Sequence, residues 1–114
     1  MKIFHNPNCT KSRQTLALLR EHDANPDVIE YLKTPPTADD LESILSMLGL
    51  QPAELSRKKE TKELGLDLQS MSRAEAIRAM VENPRVIERP IVVSGQRAAI
   101  GRPPENVLPL LADD

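Results

Sequence analysis

The first thirty-two residues read as strand, turn, helix, strand, and that order limits the fold more than any other feature of the chain. Ile3 to His5 is a short strand-like segment. Asn6-Pro7-Asn8 breaks it, because Asn and Pro favour turns. A helix is predicted from about Thr10 to His22, with Leu16, Leu19 and Arg20 stacked a turn at a time above Ser12 and Arg13. Asp27 to Leu32 follows Pro26 and is rich in Val, Ile and Tyr, which predicts a second strand. Two strands joined through a helix over this distance form a parallel βαβ unit, since a tight hairpin cannot connect parallel strands.

Beyond Thr34-Pro35-Pro36 the pattern turns helical. Thr37 and Asp40 resemble a capping box. Leu41, Ile44, Leu45 and Leu48 follow with the i, i+3, i+4, i+7 spacing of an amphipathic helix, and Gly49 suits its C-terminal cap. Pro52 to Leu55 reads as one short helical turn. Lys58 to Asp67, with Gly65 inside it, is polar and is expected to be irregular. Ser72-Arg73-Ala74-Glu75 is a clearer capping box, opening a helix that carries Ile77, Met80 and Val81 and ends at Asn83-Pro84. Pro90 to Ser94 is a β-branched run, and Gly95-Gln96 fits a two-residue type II′ turn returning Arg97 to Ile100 antiparallel. Pro103-Pro104-Glu105 then starts a short terminal helix. The expected fold is α/β, a mixed four-stranded sheet flanked by helices in a thioredoxin-like layout. At 114 residues, one domain spanning 1–114 is expected, with a helical insertion over about 37–83.

Composition removes whole classes of function. The formal net charge is -2 and aromatics are 2%, so neither a basic surface nor base stacking favours nucleic acid. No apolar run approaches the length that spans a bilayer, and Met1-Lys2-Ile3-Phe4-His5 lacks a signal-peptide pattern. The single cysteine, Cys9, allows no internal disulfide and no all-thiolate zinc site. A reducing compartment, the cytoplasm, is expected, with no resident metal.

Cys9 lies between a strand end and a helix start. Unpaired N–H groups and the helix dipole there favour a negative charge, and Lys11, Arg13 and His5 are close in sequence. Such surroundings favour a thiolate nucleophile and let the same N–H groups hold an oxyanion beside it. A buried inert thiol is the plainer alternative. Ser12 makes the motif C-x-x-S rather than C-x-x-C, so any redox cycle needs a thiol from another molecule. Ser12 either donates to the Cys9 sulfur or satisfies backbone groups of the first turn. His5 is either a packed strand-end residue or, as an imidazolium, a second aid to the thiolate. Arg57, Arg89 and Arg102 are spread along the chain, and spacing alone leaves them as surface charges. Pro90, opening a strand where no ladder N–H is offered, is a candidate for a cis Arg89–Pro90 bond.

The run His5-Asn6-Pro7-Asn8-Cys9-Thr10-Lys11-Ser12-Arg13 resembles the H-N-P-x-C-x-x-S-R signature of the glutaredoxin-coupled arsenate reductases, the ArsC family. Glu88-Arg89-Pro90-Ile91-Val92 resembles that family's R-P-I-V segment, and Ile100-Gly101-Arg102-Pro103-Pro104-Glu105 its G/C-R-P-x-E segment. Tyr31-Leu32, Pro35-Pro36 and Leu64-Gly65-Leu66 extend the likeness, and the close of the chain is most similar to short, YfgD-type members. The resemblance implies a thioredoxin-like fold with an extra helical region. It implies Cys9 as the nucleophile, tuned by His5 and Ser12, and Arg57, Arg89 and Arg102 gathered around the oxyanion. It further implies attack on arsenate, completion to arsenite by glutathione and glutaredoxin, no bound cofactor, and a monomer. The Spx-type transcription regulators share the fold but typically carry C-x-x-C, against which Ser12 speaks. A non-catalytic thioredoxin-like binding domain is the other alternative.

Overall fold

The computed structural model describes residues 1–111 of the chain. They fall into two compact units: Met1–Thr34 with the described part of Arg89–Asp114, and the intervening Pro35–Glu88.

The first unit is built on a sheet of β1 (Lys2–His5), β2 (Asp27–Glu30), β3 (Ile91–Ser94) and β4 (Arg97–Ile100). The spatial order is β2-β1-β3-β4. β1 runs parallel to β2 and antiparallel to β3, which pairs antiparallel with β4, so the sheet is mixed as expected. The connection from β1 to β2 is α1 (Thr10–Glu21). Ile3 pairs with Val92 and Val92 with Ala99, which puts an apolar row across the sheet. Onto it pack Leu16 and Leu19 of α1 and Val107 and Leu110 of a terminal 3₁₀ helix, Pro104–Leu111. Pro109 stands in the interior of that last element, where it offers no backbone N–H. β2 ends at Glu30, two residues before its predicted end: the N–H groups of Lys33 and Thr34 both turn back to the Glu30 carbonyl ahead of the two prolines. Gly95 sits at φ +60° while Gln96 keeps a negative φ, the combination that a type II′ turn needs between β3 and β4.

The second unit holds α2 (Ala38–Leu48), α3 (Lys58–Leu64) and α4 (Arg73–Glu82) with short 3₁₀ turns at Pro52–Leu55, Leu68–Ser70 and Pro84–Val86. Both predicted capping boxes form. Thr37 Oγ1 accepts from Asp40 N–H at 3.0 Å and Asp40 Oδ2 from Thr37 N–H at 3.0 Å; Ser72 and Glu75 exchange the same pair at 3.2 and 2.9 Å. Leu41, Ile44 and Leu45 of α2 and Ala76, Ile77 and Met80 of α4 are buried where the two helices pack. The segment 55–57 is sewn antiparallel to 86–88: Arg57 N–H donates to Val86 O at 2.7 Å and Glu88 N–H to Leu55 O at 2.8 Å.

One expectation fails here. Lys58–Asp67 is not irregular, since its first seven residues form α3. Only Thr61 of that helix is buried, so no apolar stripe announces it. Its Lys, Glu and Leu residues are strong helix formers, and Gly65 closes it at φ +69°. Local propensity decides the segment where hydrophobic periodicity is silent. Among the described residues no helix is long and apolar enough to cross a membrane.

Candidate active site

The loop that presents Cys9 is a tight turn. Cys9 N–H donates to Asn6 O at 3.0 Å, closing Asn6-Pro7-Asn8-Cys9, with proline at the second position where its φ is preset. The Asn6 side chain accepts from Asn8 N–H at 3.0 Å and so builds the turn from within. Arg13 braces it from outside, donating to Pro7 O at 2.9 Å and to Thr10 Oγ1 at 3.2 Å. Its guanidinium is therefore engaged with the Pro7 carbonyl and the Thr10 hydroxyl.

Cys9 is the N-cap residue of α1, at φ -100° and ψ 122°, and its side chain makes no capping bond. The N–H groups of Thr10, Lys11 and Ser12 begin the helix without intrahelical acceptors, beside a half-buried thiol. Arg102 reaches this end of the helix from the turn after β4. Its Nη2 lies 3.5 Å from Cys9 Sγ, and its Nε donates to Arg89 O at 2.7 Å. A guanidinium, a helix N-terminus and a sulfur nucleophile thus share one spot, which suits a tetrahedral oxyanion.

Arg89 is carried there by its backbone. β1 and β3 are in register at Phe4↔Ile91, so continuing the antiparallel pairing brings Arg89 level with the Cys9 loop. Arg89 Nε is buried and has no hydrogen-bond partner among the described residues. The Arg89–Pro90 bond is cis, as the sequence suggested, and Arg102–Pro103, which it did not single out, is cis as well.

His5 and Ser12 are both buried, at 6% and 0% exposure. His5 Nδ1 and Ser12 Oγ are 2.6 Å apart, and Ser12 Oγ also accepts from Asn6 N–H at 3.0 Å. In the Nε2–H tautomer the Ser12 hydroxyl donates to Nδ1, and both sides of the hydroxyl are in use. Of its two expected roles Ser12 takes the backbone one: it makes no hydrogen bond to the Cys9 sulfur and ties strand end, turn and helix start together. The imidazolium expectation changes too. Burial lowers the His5 pKa below 6.5; the Glu30 carboxylate opposes this, and Arg20 and Arg13 add to it. The ring is therefore neutral at pH 7.

This has a measurable consequence. A histidine whose folded-state pKa is lowered contributes stability that is complete above the unfolded value of 6.5 and is lost as the pH falls below it. Urea unfolding between pH 5 and pH 7.5 is expected to show stability rising with pH, with a flatter slope in His5→Asn. Parallel slopes for the two chains would remove His5 from that dependence.

Arg57 stands in the second unit as the N-cap of α3. Its Nε lies 3.2 Å from Glu60 Oε1 as an ion pair without hydrogen-bond alignment, and its Nη1 is buried without a partner among the described residues. Sequence reasoning missed Thr15. It is fully buried on α1, and its Oγ1 lies 2.8 Å from Lys11 O and 3.3 Å from Gly101 O. The available signal was a polar β-branched residue on the inward face beside Leu16 and Leu19. No cluster of His, Cys, Asp and Glu among the described residues is arranged to hold a metal.

Comparison with known proteins bears on this geometry. A family model described as the ArsC family matches residues 4–110. The sequence is 51% identical over 114 residues to the uncharacterized protein YfgD of Escherichia coli K12, covering 97% of this chain and 96% of that one. It is 44% identical over 110 residues to a Neisseria meningitidis serogroup B protein named arsenate reductase, covering 94% of each. A solved structure of an arsenate reductase from Vibrio cholerae superposes with a TM-score of 0.89 at 45% identity, covering 96% of this chain and 95% of that one.

Proposed function

The chain belongs to the ArsC family, with its thioredoxin-like fold, and from that premise we propose that it is an arsenate reductase working through Cys9. The observation that carries the reading is the meeting of Cys9 Sγ, the α1 N-terminus and Arg102 Nη2 at 3.5 Å. In this reading the Cys9 sulfur attacks arsenic, the As–S bond replaces one As–OH bond, and the thiol's proton goes with that hydroxyl as water, giving a thiol–arsenate adduct without electron transfer. Arg102 balances the charge of the oxyanion, and the N–H groups of the first helical turn hold its oxygens. Arg89 completes the anion site, and His5 and Ser12 hold the loop that aims the sulfur.

Reduction of arsenate to arsenite takes two electrons. One cysteine cannot supply both, so the second thiol comes from outside the chain. We assign that role to glutathione as co-substrate, with glutaredoxin completing the cycle. The net reaction is arsenate plus two glutathione giving arsenite, glutathione disulfide and water. These reductants and the single unpaired thiol suit the cytoplasm, with the chain acting as a monomer without a bound cofactor.

The test is NADPH consumption in a coupled assay containing the purified chain, arsenate, glutathione, glutaredoxin and glutathione reductase. Arsenate-dependent oxidation of NADPH, with arsenite as product, is the expected result. No arsenate dependence above the rate without the chain would overturn the reading.

A further inference from the structure

The geometry points to Thr15 as the positioning residue that sets the distance between Cys9 and Arg102. The inference deepens the proposed oxyanion chemistry and, as a statement about chemistry, rests on it.

One helix carries both Cys9 and Thr15. Cys9 is the N-cap of α1, and Thr15 lies six residues on, inside the same helix. Thr15 is fully buried, and its Oγ1 is shared between Lys11 O at 2.8 Å and Gly101 O at 3.3 Å. The first bond is the usual recourse of a helical threonine. The second crosses to the residue immediately before Arg102. The approach is close enough that a Cβ on Gly101 would run into Thr15 Oγ1 and lie 2.9 Å from both Thr15 Cγ2 and Pro90 Cγ. Gly101 is not at positive φ, so what the position requires is space and not a special backbone conformation.

The rest of the Arg102 turn is held just as closely. Gly101 N–H donates to Pro90 O at 2.9 Å and Arg102 N–H to Ile100 O at 2.9 Å. Asn106 Nδ2 donates to Arg102 O at 3.0 Å. Those bonds tie the turn to the residue before β3, to β4 and to the terminal 3₁₀ helix. Among the described residues, the Thr15 hydroxyl bonds the backbone of this turn from the helix bearing the nucleophile. Without it, the guanidinium is referenced to the sheet and the sulfur to the helix, and a small shift between the two opens the 3.5 Å contact.

The experiment uses the full chain and two alkylating probes of similar size, anionic iodoacetate and neutral iodoacetamide, with Cys9 as the sole target. The ratio of their rates reads the cation held at the sulfur and involves no turnover of arsenate. Thr15→Val keeps the shape and removes the hydroxyl. The iodoacetate-to-iodoacetamide ratio is expected to fall roughly two- to tenfold, the range of one ordinary hydrogen bond. KM for arsenate should rise by a similar factor while kcat changes less. Thr15→Ser should restore the wild-type ratio, and Thr15→Ala should not. That equal-sized pair decides the matter if the valine chain does not fold. Unchanged ratios in folded Thr15→Val and Thr15→Ala chains would overturn the proposal. A lowered ratio in chains whose wild type reduces no arsenate would leave Thr15 in its positioning role and overturn the arsenate reading instead.

Discussion

A Cys9→Ser chain is expected to lose arsenate turnover by at least about 10³-fold while folding normally, a loss of roughly 4 kcal/mol in transition-state stabilisation. The two halves of this expectation have separate causes. Serine is isosteric with cysteine and is among the preferred N-cap residues, whereas the Cys9 side chain makes no capping bond, so the substitution removes nothing that holds α1 in place. Chemically the hydroxyl fails twice. It is far less acidic than a thiol and so a poor nucleophile near pH 7, and it cannot exchange with a second thiol to carry the reduction forward. Thermal unfolding and the coupled NADPH assay check the two halves independently. Normal turnover by the folded serine chain would take Cys9 out of the mechanism.

Arg102→Gln is the second large effect. Arg102 touches the sulfur through Nη2 and the Arg89 carbonyl through Nε, so its fork is oriented before any anion arrives. Its removal should weaken arsenate binding by about 1.5–3 kcal/mol, the scale of hydrogen bonds to charged groups. It should lower kcat/KM by about 10²-fold where charge develops on the oxyanion. Arg102→Lys is expected to recover only part of the loss, because an ammonium keeps the charge but not the planar pair of donors. The residual binding should weaken with added salt, as Coulombic attraction at a half-exposed site does. Steady-state kinetics over a range of ionic strengths would check this, and a glutamine chain with unaltered KM would dismiss Arg102 from the anion site.

Much of the architecture could be read from local signals. The turn at Asn6-Pro7-Asn8, the two capping boxes, Gly49 after α2 and Gly95 between β3 and β4 are each set by the backbone demands of one or two residues, and each forms. α3 escaped because a surface helix with one buried residue has no hydrophobic period to find. The site was legible in parts. Cys9 before a helix start is a sequence-local fact. The pairing of His5 with Ser12 and the engagement of Arg13 with Pro7 depend on how a turn closes in three dimensions, and no spacing rule gives the acceptor of a hydroxyl. The approach of Arg102 to Cys9 depends on the β1–β3 register, and the part played by Thr15 on a contact spanning eighty-six residues. Such contacts leave no periodic trace in the chain.

The unit that holds Cys9 is discontinuous: one part ends at Thr34 and the other begins at Arg89. On the ribosome, where synthesis proceeds N-terminus first, the thiol is therefore made long before its guanidinium. Ninety-three residues separate them, and at 5–20 residues per second that interval is roughly 5–20 s. For most of it β1 and β2 have no β3 beside them, and the nascent chain exposes a sulfur whose oxyanion partner does not yet exist. The reactive centre is thus assembled only once Arg102 has been made, so a chain cut short between Cys9 and Arg102 retains the cysteine but not the site.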